Sequence, residues 1–290
     1  MNAGLFVGLT TIDIIYMVDE VPGANTKIVA HSQQLLTGGP ATNAAITFSH
    51  LGGSPTLVST IGRHPIGAVV KEELRAFSVN LLDLSPESTI PPPLSSVYVD
   101  RHGQRSVVSV NATVSEIPQA QIDPSILKKA HILLVDGHAM KACQAWAHAA
   151  RSSNIPVVLD GGSWKPGTGE LLHSVDIAIC SADFRPPNCS HEDSTIEYLR
   201  SRGLKQIAIT KGSDPVQFVS GSSAGSIEVP KVEAVDTMGA GDIFHGAFCF
   251  YFSEGHDFPL ALRKAASIAA ESCRFPGTRQ WMQARAGSQH

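Results

Sequence analysis

Apolar and polar positions along the chain follow two rhythms. LFVGL (5–9), TLVSTIG (56–62), HILLVDG (131–137), PVVLDGG (156–162), VDIAICS (175–181) and KQIAITKG (205–212) are short runs rich in β-branched residues. Such runs read as strands buried on both faces. Between or after them, apolar residues return at helical spacing. In GPATNAAITFSHLGG the series is Ala44, Ala45, Phe48 and Leu51, closed by glycine. Further helical patterns cover 66–79 and about 139–153, 192–203, 240–254 and 257–274. Buried strands separated by helices predict an α/β fold: a doubly wound, mostly parallel sheet with helices on both faces.

Two segments break that rhythm. Residues 14–36 and 94–110 alternate apolar and polar positions, and the second contains RHGQ, a hairpin turn signal. They predict a small antiparallel sheet inserted into the core, placed to cover a site at the strand C-termini, where open α/β sheets bind ligands. PESTIPPPLSS (86–96) reads as a stiff connector into it. The polar tail GTRQWMQARAGSQH reads as frayed at its end.

Composition narrows the classes. The chain has 290 residues, 43% of them apolar, with a formal net charge of -4. It has no basic block for nucleic-acid phosphates, and no run nears the roughly 20 apolar residues of a membrane span. The N-terminal stretch lacks a basic region and is interrupted by Asp13 and Asp19, so it reads as a first strand and not a signal peptide. Five widely spaced cysteines without a CxxC pair suit reduced thiols in a cytoplasmic protein. The 12 histidines form no HxH or HxxxH pair, so no histidine metal site is expected.

The run VDTMGAGDIFHGAF (235–248) carries the most chemistry. It is not a GxGxxG fingerprint, because the sixth position from Gly239 is Phe244, and the chain has no GxxxxGK[ST] loop. Phe244, Ala247, Phe248 and Tyr251 form one helical face, which puts Gly239, Ala240 and Gly241 in a first turn. Unpartnered amides, small side chains and the helix dipole make that turn a place for an anion. Asp242 beside them has two readings. It complements the dipole, or it accepts a proton from a hydroxyl that attacks phosphorus.

DTMGAGD (236–242) resembles the DTxGAGD signature of the ribokinase-like (PfkB) carbohydrate kinases. GGPATNA (38–44) is similar to the family's GG…Asn-Ala motif, GLTTID (8–13) to its first strand ending in a substrate-binding aspartate, and AITKG (208–212) to its nucleotide-site strand. The resemblance spans the chain and implies one ribokinase-like domain over 1–290, with lid strands inserted at about 14–36 and 94–110. It implies ATP-dependent phosphorylation of a sugar hydroxyl. Asp242 would be the general base, and Gly239, Ala240 and Gly241 the anion hole. Asp13, Gly38, Gly39 and Asn43 would bind the sugar, and Thr210, Gly212, Asp236 and Thr237 would lie beside the nucleotide. Magnesium would come with ATP, held mostly through phosphate oxygens and water. A monovalent cation and a homodimer through the lid are further implications. Taken without the resemblance, Asp13 also reads as a turn aspartate, Asn43 as a helix N-terminal residue and Gly38-Gly39 as a loop turn.

Two family motifs are altered: NxxE reads SADF (181–184), and GDDxxG reads GRHPIG (62–67). Within the family the chain most resembles sulfofructose kinases and then ketohexokinases, so a ketose-like substrate is favoured. Lys27 in the flap, Arg105 on its hairpin, Asn111 at its exit and His138 after the strand 131–137 are further candidates for substrate contact. His138 stands where the sulfofructose enzymes carry an arginine. The alternatives are a nucleoside kinase of the same family and a non-catalytic sugar- or nucleotide-binding protein that keeps the fold.

Overall fold

The buried runs line up as neighbouring strands in a computed structural model that describes residues 2–102, 104–110 and 122–287. The large sheet contains β1 (Ala3–Val7), β4 (Ser54–Ser59), β5 (Asn80–Asp83), β8 (Ile132–Val135), β9 (Val157–Gly161), β10 (Ile177–Ser181), β11 (Gln206–Lys211), β12 (Asp214–Ser220) and β13 (Ser223–Ile227). Their order is β13-β12-β11-β10-β9-β8-β1-β4-β5. The seven strands from β11 to β5 are mutually parallel. The helices are α1 (Pro40–His50), α2 (Gly67–Ala76), α3 (Pro124–Leu127), α4 (Met140–Ser152), α5 (Thr168–Leu171), α6 (Glu192–Ser201), α7 (Ala240–Ser253), α8 (Phe258–Ser272) and α9 (Gln280–Gly287). No described helix is long and apolar enough to cross a membrane.

The two-residue period of a strand divides the core. Leu134 faces a cluster with Phe48 of α1, Phe248 of α7 and Phe258 of α8. Leu133 and Val135 face a cluster with Cys143 and Trp146 of α4. This burial on both faces is why these strands show no polar alternation. Burial also pushes the thiols of Cys143, Cys180 and Cys249 up, and all five cysteines are free.

The alternating segments form a separate four-stranded sheet, order β3-β2-β6-β7, from β2 (Thr11–Met17), β3 (Ser32–Gly38), β6 (Leu94–Val99) and β7 (Arg105–Ser109). It is not wholly antiparallel: β2 and β6 run parallel, because a core segment intervenes between them. Its inner face, Ile15, Val97 and Val99, packs against Met238 in the loop before α7. Three other expectations change. Asp13 lies on β2 in this small sheet and does not end the first core strand. The antiparallel hairpin β12–β13 was not foreseen, because its polar-rich sequence lacks a continuous apolar run. The first part of the polar tail is anchored, Trp281 being fully buried with its indole N–H donating to the Thr278 carbonyl, while the end expected to fray, 288–290, lies outside the described residues.

α1 and α7 cross at close range. A Cβ on Gly246 would collide with the Ala44 carbonyl oxygen and the Ala44 Cα. Alanine is normally the better helix residue by about 1 kcal/mol. Gly246→Ala is nevertheless expected to destabilise the fold by about 1–3 kcal/mol through overpacking. Chemical denaturation measures this, and an unchanged or higher midpoint would contradict the close crossing.

Candidate active site

The C-terminal ends of the parallel strands converge on one carboxylate. Asp136, just after β8, is 2% exposed. Its Oδ2 accepts from the Leu9 amide at 2.8 Å and the Ala41 amide at 3.3 Å, and its Oδ1 from the His138 amide at 2.9 Å. It therefore ties the β1 exit, the start of α1 and the β8 exit together. Sequence reading missed it; its only signal was an aspartate ending an apolar strand.

Gly38 and Gly39 have packing reasons beyond a turn. A Cβ on Gly38 would meet the Asp13 carboxylate. Gly39 has φ 99°, and a Cβ there would meet the Leu9 carbonyl oxygen. The missing side chains let β3 enter α1 directly beside Asp13. The Asp13 carboxyl accepts from the Thr11 hydroxyl at 3.1 Å, and burial raises its pKa, partly opposed by hydrogen bonds from Thr11 and Ser95.

Asn43, 4% exposed in the first turn of α1, joins this corner to α7. Its amide Nδ2 donates to Asp242 Oδ2 at 2.7 Å. The other carboxylate oxygen of Asp242 makes no hydrogen bond among the described residues. Burial pushes Asp242 up to about 7, with Asp160 adding to the rise and the Asn43 hydrogen bond opposing it.

Gly239 is the N-cap of α7, with φ 67° and no side-chain cap. The Ala240 amide, expected in the anion hole, instead reaches the Thr237 carbonyl at 3.3 Å. The amides of Gly239, Gly241 and Asp242 have no partner among the described residues. A Cβ on Gly241 would meet nothing within 4 Å. Neither packing nor backbone strain demands glycine there, so the open space is available to a ligand.

Beneath Asp242, the buried His245 places Nδ1 2.7 Å from the Gly241 carbonyl oxygen and 3.5 Å from Asp160 Oδ2, and Nε2 3.1 Å from the Ile179 carbonyl oxygen. Burial raises the Asp160 pKa, and its Oδ2 makes no hydrogen bond among the described residues. His138 lies beside this group with its Nδ1 buried and unpartnered, and burial lowers its pKa. Burial thus disfavours its charged form, opposed by the nearby Asp136 and Asp160. The neighbouring cation is Lys165, 3.4 Å from the carbonyl oxygens of Asp136 and Ser163, which sequence reading also missed.

The remaining candidates fall in several places. Thr210 sits near the end of β11, and Gly212, with φ 55°, turns the chain into β12 with open space around it. Arg105 crosses from β7 to the loop before α7. Its guanidinium donates to the Thr237 hydroxyl at 2.6 Å and lies 3.7 Å from Asp236. Asp236 also accepts from the Met238 and Gly277 amides, so it organises this loop. Lys27 is not on a strand. It lies exposed between β2 and β3, and among the described residues no hydrogen bond or ion pair joins it to the cluster. Asn111 lies outside the described residues. Of the altered motif positions, Phe184 is buried against Trp164, and Arg63 donates to the Glu87 carbonyl.

Residues 2–285 match the pfkB family of carbohydrate kinases, and the chain belongs to that family. A ribokinase of Bacillus subtilis is 26% identical over 279 residues, covering 93% of this chain and 92% of the relative. The crystal structure of a putative ribokinase from Agrobacterium tumefaciens superimposes with a TM-score of 0.86 at 22% identity, covering 100% of this chain and 99% of that one. Arabidopsis thaliana ribokinase complexed with ribose and ATP gives 0.78 at 24% identity, covering 95% and 93% of the two chains.

The site predicts a stability signature. Asp242 ionises near 3.8 when unfolded but near 7 in the fold. The folded state holds that proton more tightly, so this contribution is complete below pH 4 and is lost as pH rises through about 7. Asp242→Asn cannot ionise and should gain stability relative to the parent between pH 4.5 and 7.5. Melting curves across that range check it, and a constant difference would contradict a raised Asp242.

Proposed function

We propose that this kinase transfers the γ-phosphoryl group of ATP to a hydroxyl of a small sugar or sugar derivative, ketose-like substrates being favoured, with Asp242 as general base. The observation that carries the reading is the pairing of an unengaged Asp242 oxygen with free amides in the same helical turn. The carboxylate accepts the hydroxyl proton as the oxygen attacks phosphorus. The Gly239, Gly241 and Asp242 amides and the α7 dipole stabilise the negative charge on the transferred group. Asp13, with Asn43 behind Asp242, supports a sugar between the two sheets. The relative complexed with ribose and ATP supports the same pairing of substrates.

The small sheet supports a sugar over a nucleoside. Tyr16 and Tyr98 stack with ring centroids 5.6 Å apart. Strand alternation puts them on the face opposite Ile15, Val97 and Val99, which point at Met238. The inner face is aliphatic and offers no aromatic clamp for a base. β7 is an exposed edge strand whose Val107 and Val108, on its two opposite faces, are both exposed, which supports a homodimer through this lid.

The donor set fits magnesium arriving with the nucleotide. The described residues hold no group of three or more His, Cys, Asp or Glu able to bind a metal. An ion held by phosphate oxygens and water needs no such cage. When bound, it would neutralise phosphate charge. Thr210 and Gly212 are proposed to line the nucleotide phosphates, while Asp236 and Thr237 shape the loop that presents the anion hole.

ADP release with Mg-ATP across ketoses, aldoses, sugar phosphates, sulfofructose and nucleosides tests the reading. Turnover on a sugar should fall about 100-fold or more in Asp242→Asn. In the parent it should fall about tenfold per pH unit below pH 7, where Asp242 is protonated. Near-normal turnover in the variant refutes the base. Ligand binding without turnover on any compound favours a binding protein.

Gly241→Val tests the anion hole separately. The fold should persist, because the added side chain meets only open space. kcat should fall at least tenfold as access to the amides is blocked. Unchanged kinetics would remove the anion hole from the mechanism.

A further inference from the structure

The kinase reading gives no role to Arg279, between α8 and α9, although it is 7% exposed and lies directly behind the proposed base. Its guanidinium is fixed on three sides. Nε donates to Glu73 Oε1 at 2.9 Å, Nη2 to the Thr37 carbonyl at 2.7 Å and Nη1 to the Thr278 hydroxyl at 2.8 Å. Glu73 is held in turn, since its Oε2 accepts from the Thr37 amide at 2.7 Å. Nη1 also donates to Asn43 Oδ1 at 2.9 Å.

This last contact decides which end of the Asn43 amide faces Asp242. A guanidinium only donates, so the end toward Arg279 must be the oxygen. Nδ2 then faces Asp242 Oδ2, 2.7 Å away. The reversed amide would set an oxygen against each neighbour's wrong partner: oxygen against carboxylate, and N–H against N–H. The chain Glu73–Arg279–Asn43–Asp242 thus runs from α2 to α7: Arg279 donates outward to both Glu73 and Asn43, and Asn43 passes donation on to Asp242.

We propose that Arg279 is a positioning residue, which locks the Asn43 amide with its donors toward Asp242 and so fixes the carboxylate that accepts the substrate proton. Its effect on turnover rests on the kinase reading; its effect on the amide and carboxylate does not. The other groups facing Asp242 are Asp160 within β9, Asp136 after β8 and His245 one turn along α7. The two carboxylates disfavour its ionised form, and His245 and the Asn43 N–H favour it. Losing the locked N–H therefore makes Asp242 harder to ionise.

Carboxyl carbon NMR on aspartate-labelled protein reads this without a substrate, with the Asp242 signal identified by its loss in Asp242→Asn. Arg279→Met should raise the Asp242 midpoint by about one pH unit, the equivalent of one hydrogen bond to a charged group. Arg279→Lys should do the same, because an ammonium lacks the fork that reaches Glu73 and Asn43 together. Asn43→Ala should give a similar rise, and adding the charge-preserving Arg279→Lys to it should add nothing, since the direct attraction between the Arg279 and Asp242 charges is then kept. On the sugar that the parent phosphorylates, Arg279→Met should lower kcat about tenfold with the acid limb moved upward and the KM for ATP unchanged. An Asp242 midpoint unmoved in folded Arg279→Met overturns the proposal. If that variant does not fold, an unmoved midpoint in Arg279→Lys overturns it instead. A further rise in the Asn43→Ala background also overturns it, because Arg279 would then act independently of Asn43. Absence of sugar phosphorylation by the parent would defeat the kinase reading, while the NMR titration would still decide the role of Arg279.

Discussion

The close crossing of α1 and α7 at Gly246 sets every distance at the candidate site. With no side chain between Gly246 and Ala44, the two helices approach backbone to backbone, and their first turns lie side by side. Asn43 and Asp242 are 199 residues apart in sequence, yet one hydrogen bond of 2.7 Å joins them. One extra methyl group at the crossing would part the helices by more than that bond tolerates. A single glycine in the core thus controls whether Asp242 keeps its Asn43 partner.

The second constraint is electrostatic. Asp136 disfavours ionisation of Asp160, and both disfavour that of Asp242. Asp136 is held by three backbone amides, which suits a carboxylate with a structural task. Asp242 has one amide donor and one open oxygen, and burial brings it close to neutrality at physiological pH. A carboxylate raised that far is a stronger base than an exposed one and is matched to taking a hydroxyl proton. Arg279 and Lys165 bring positive charge to the cluster, the first paired with Glu73 and the second beside the Asp136 carbonyl.

The sequence made much of this readable. Continuous apolar runs located the core strands, because burial on both faces removes polar alternation. Two near-glycine motifs located the helix starts, because close backbone approach leaves few residue choices. Other features were hidden. β12 and β13 pair at the antiparallel edge and carry the mixed polarity of a half-exposed hairpin. The roles of Asp136, Lys165 and Arg279 depend on contacts between elements distant in sequence, which spacing does not encode. Arg279 was concealed further by its polar tail, since an arginine reads as surface until its buried partner Glu73 is located 206 residues away. Lys27, expected in the flap, lies on an exposed loop between β2 and β3 and not on a strand, because its stretch lacks the alternation that pairs a strand.

The central claim concerns where two substrates meet Asp242. A crystal structure with a sugar substrate and a non-hydrolysable ATP analogue measures that directly. The account predicts a sugar hydroxyl within hydrogen-bonding distance of the open Asp242 oxygen, in line with a γ-phosphate held by the Gly241 and Asp242 amides. A sugar hydroxyl remote from Asp242, or a γ-phosphate away from the α7 N-terminus, would contradict it.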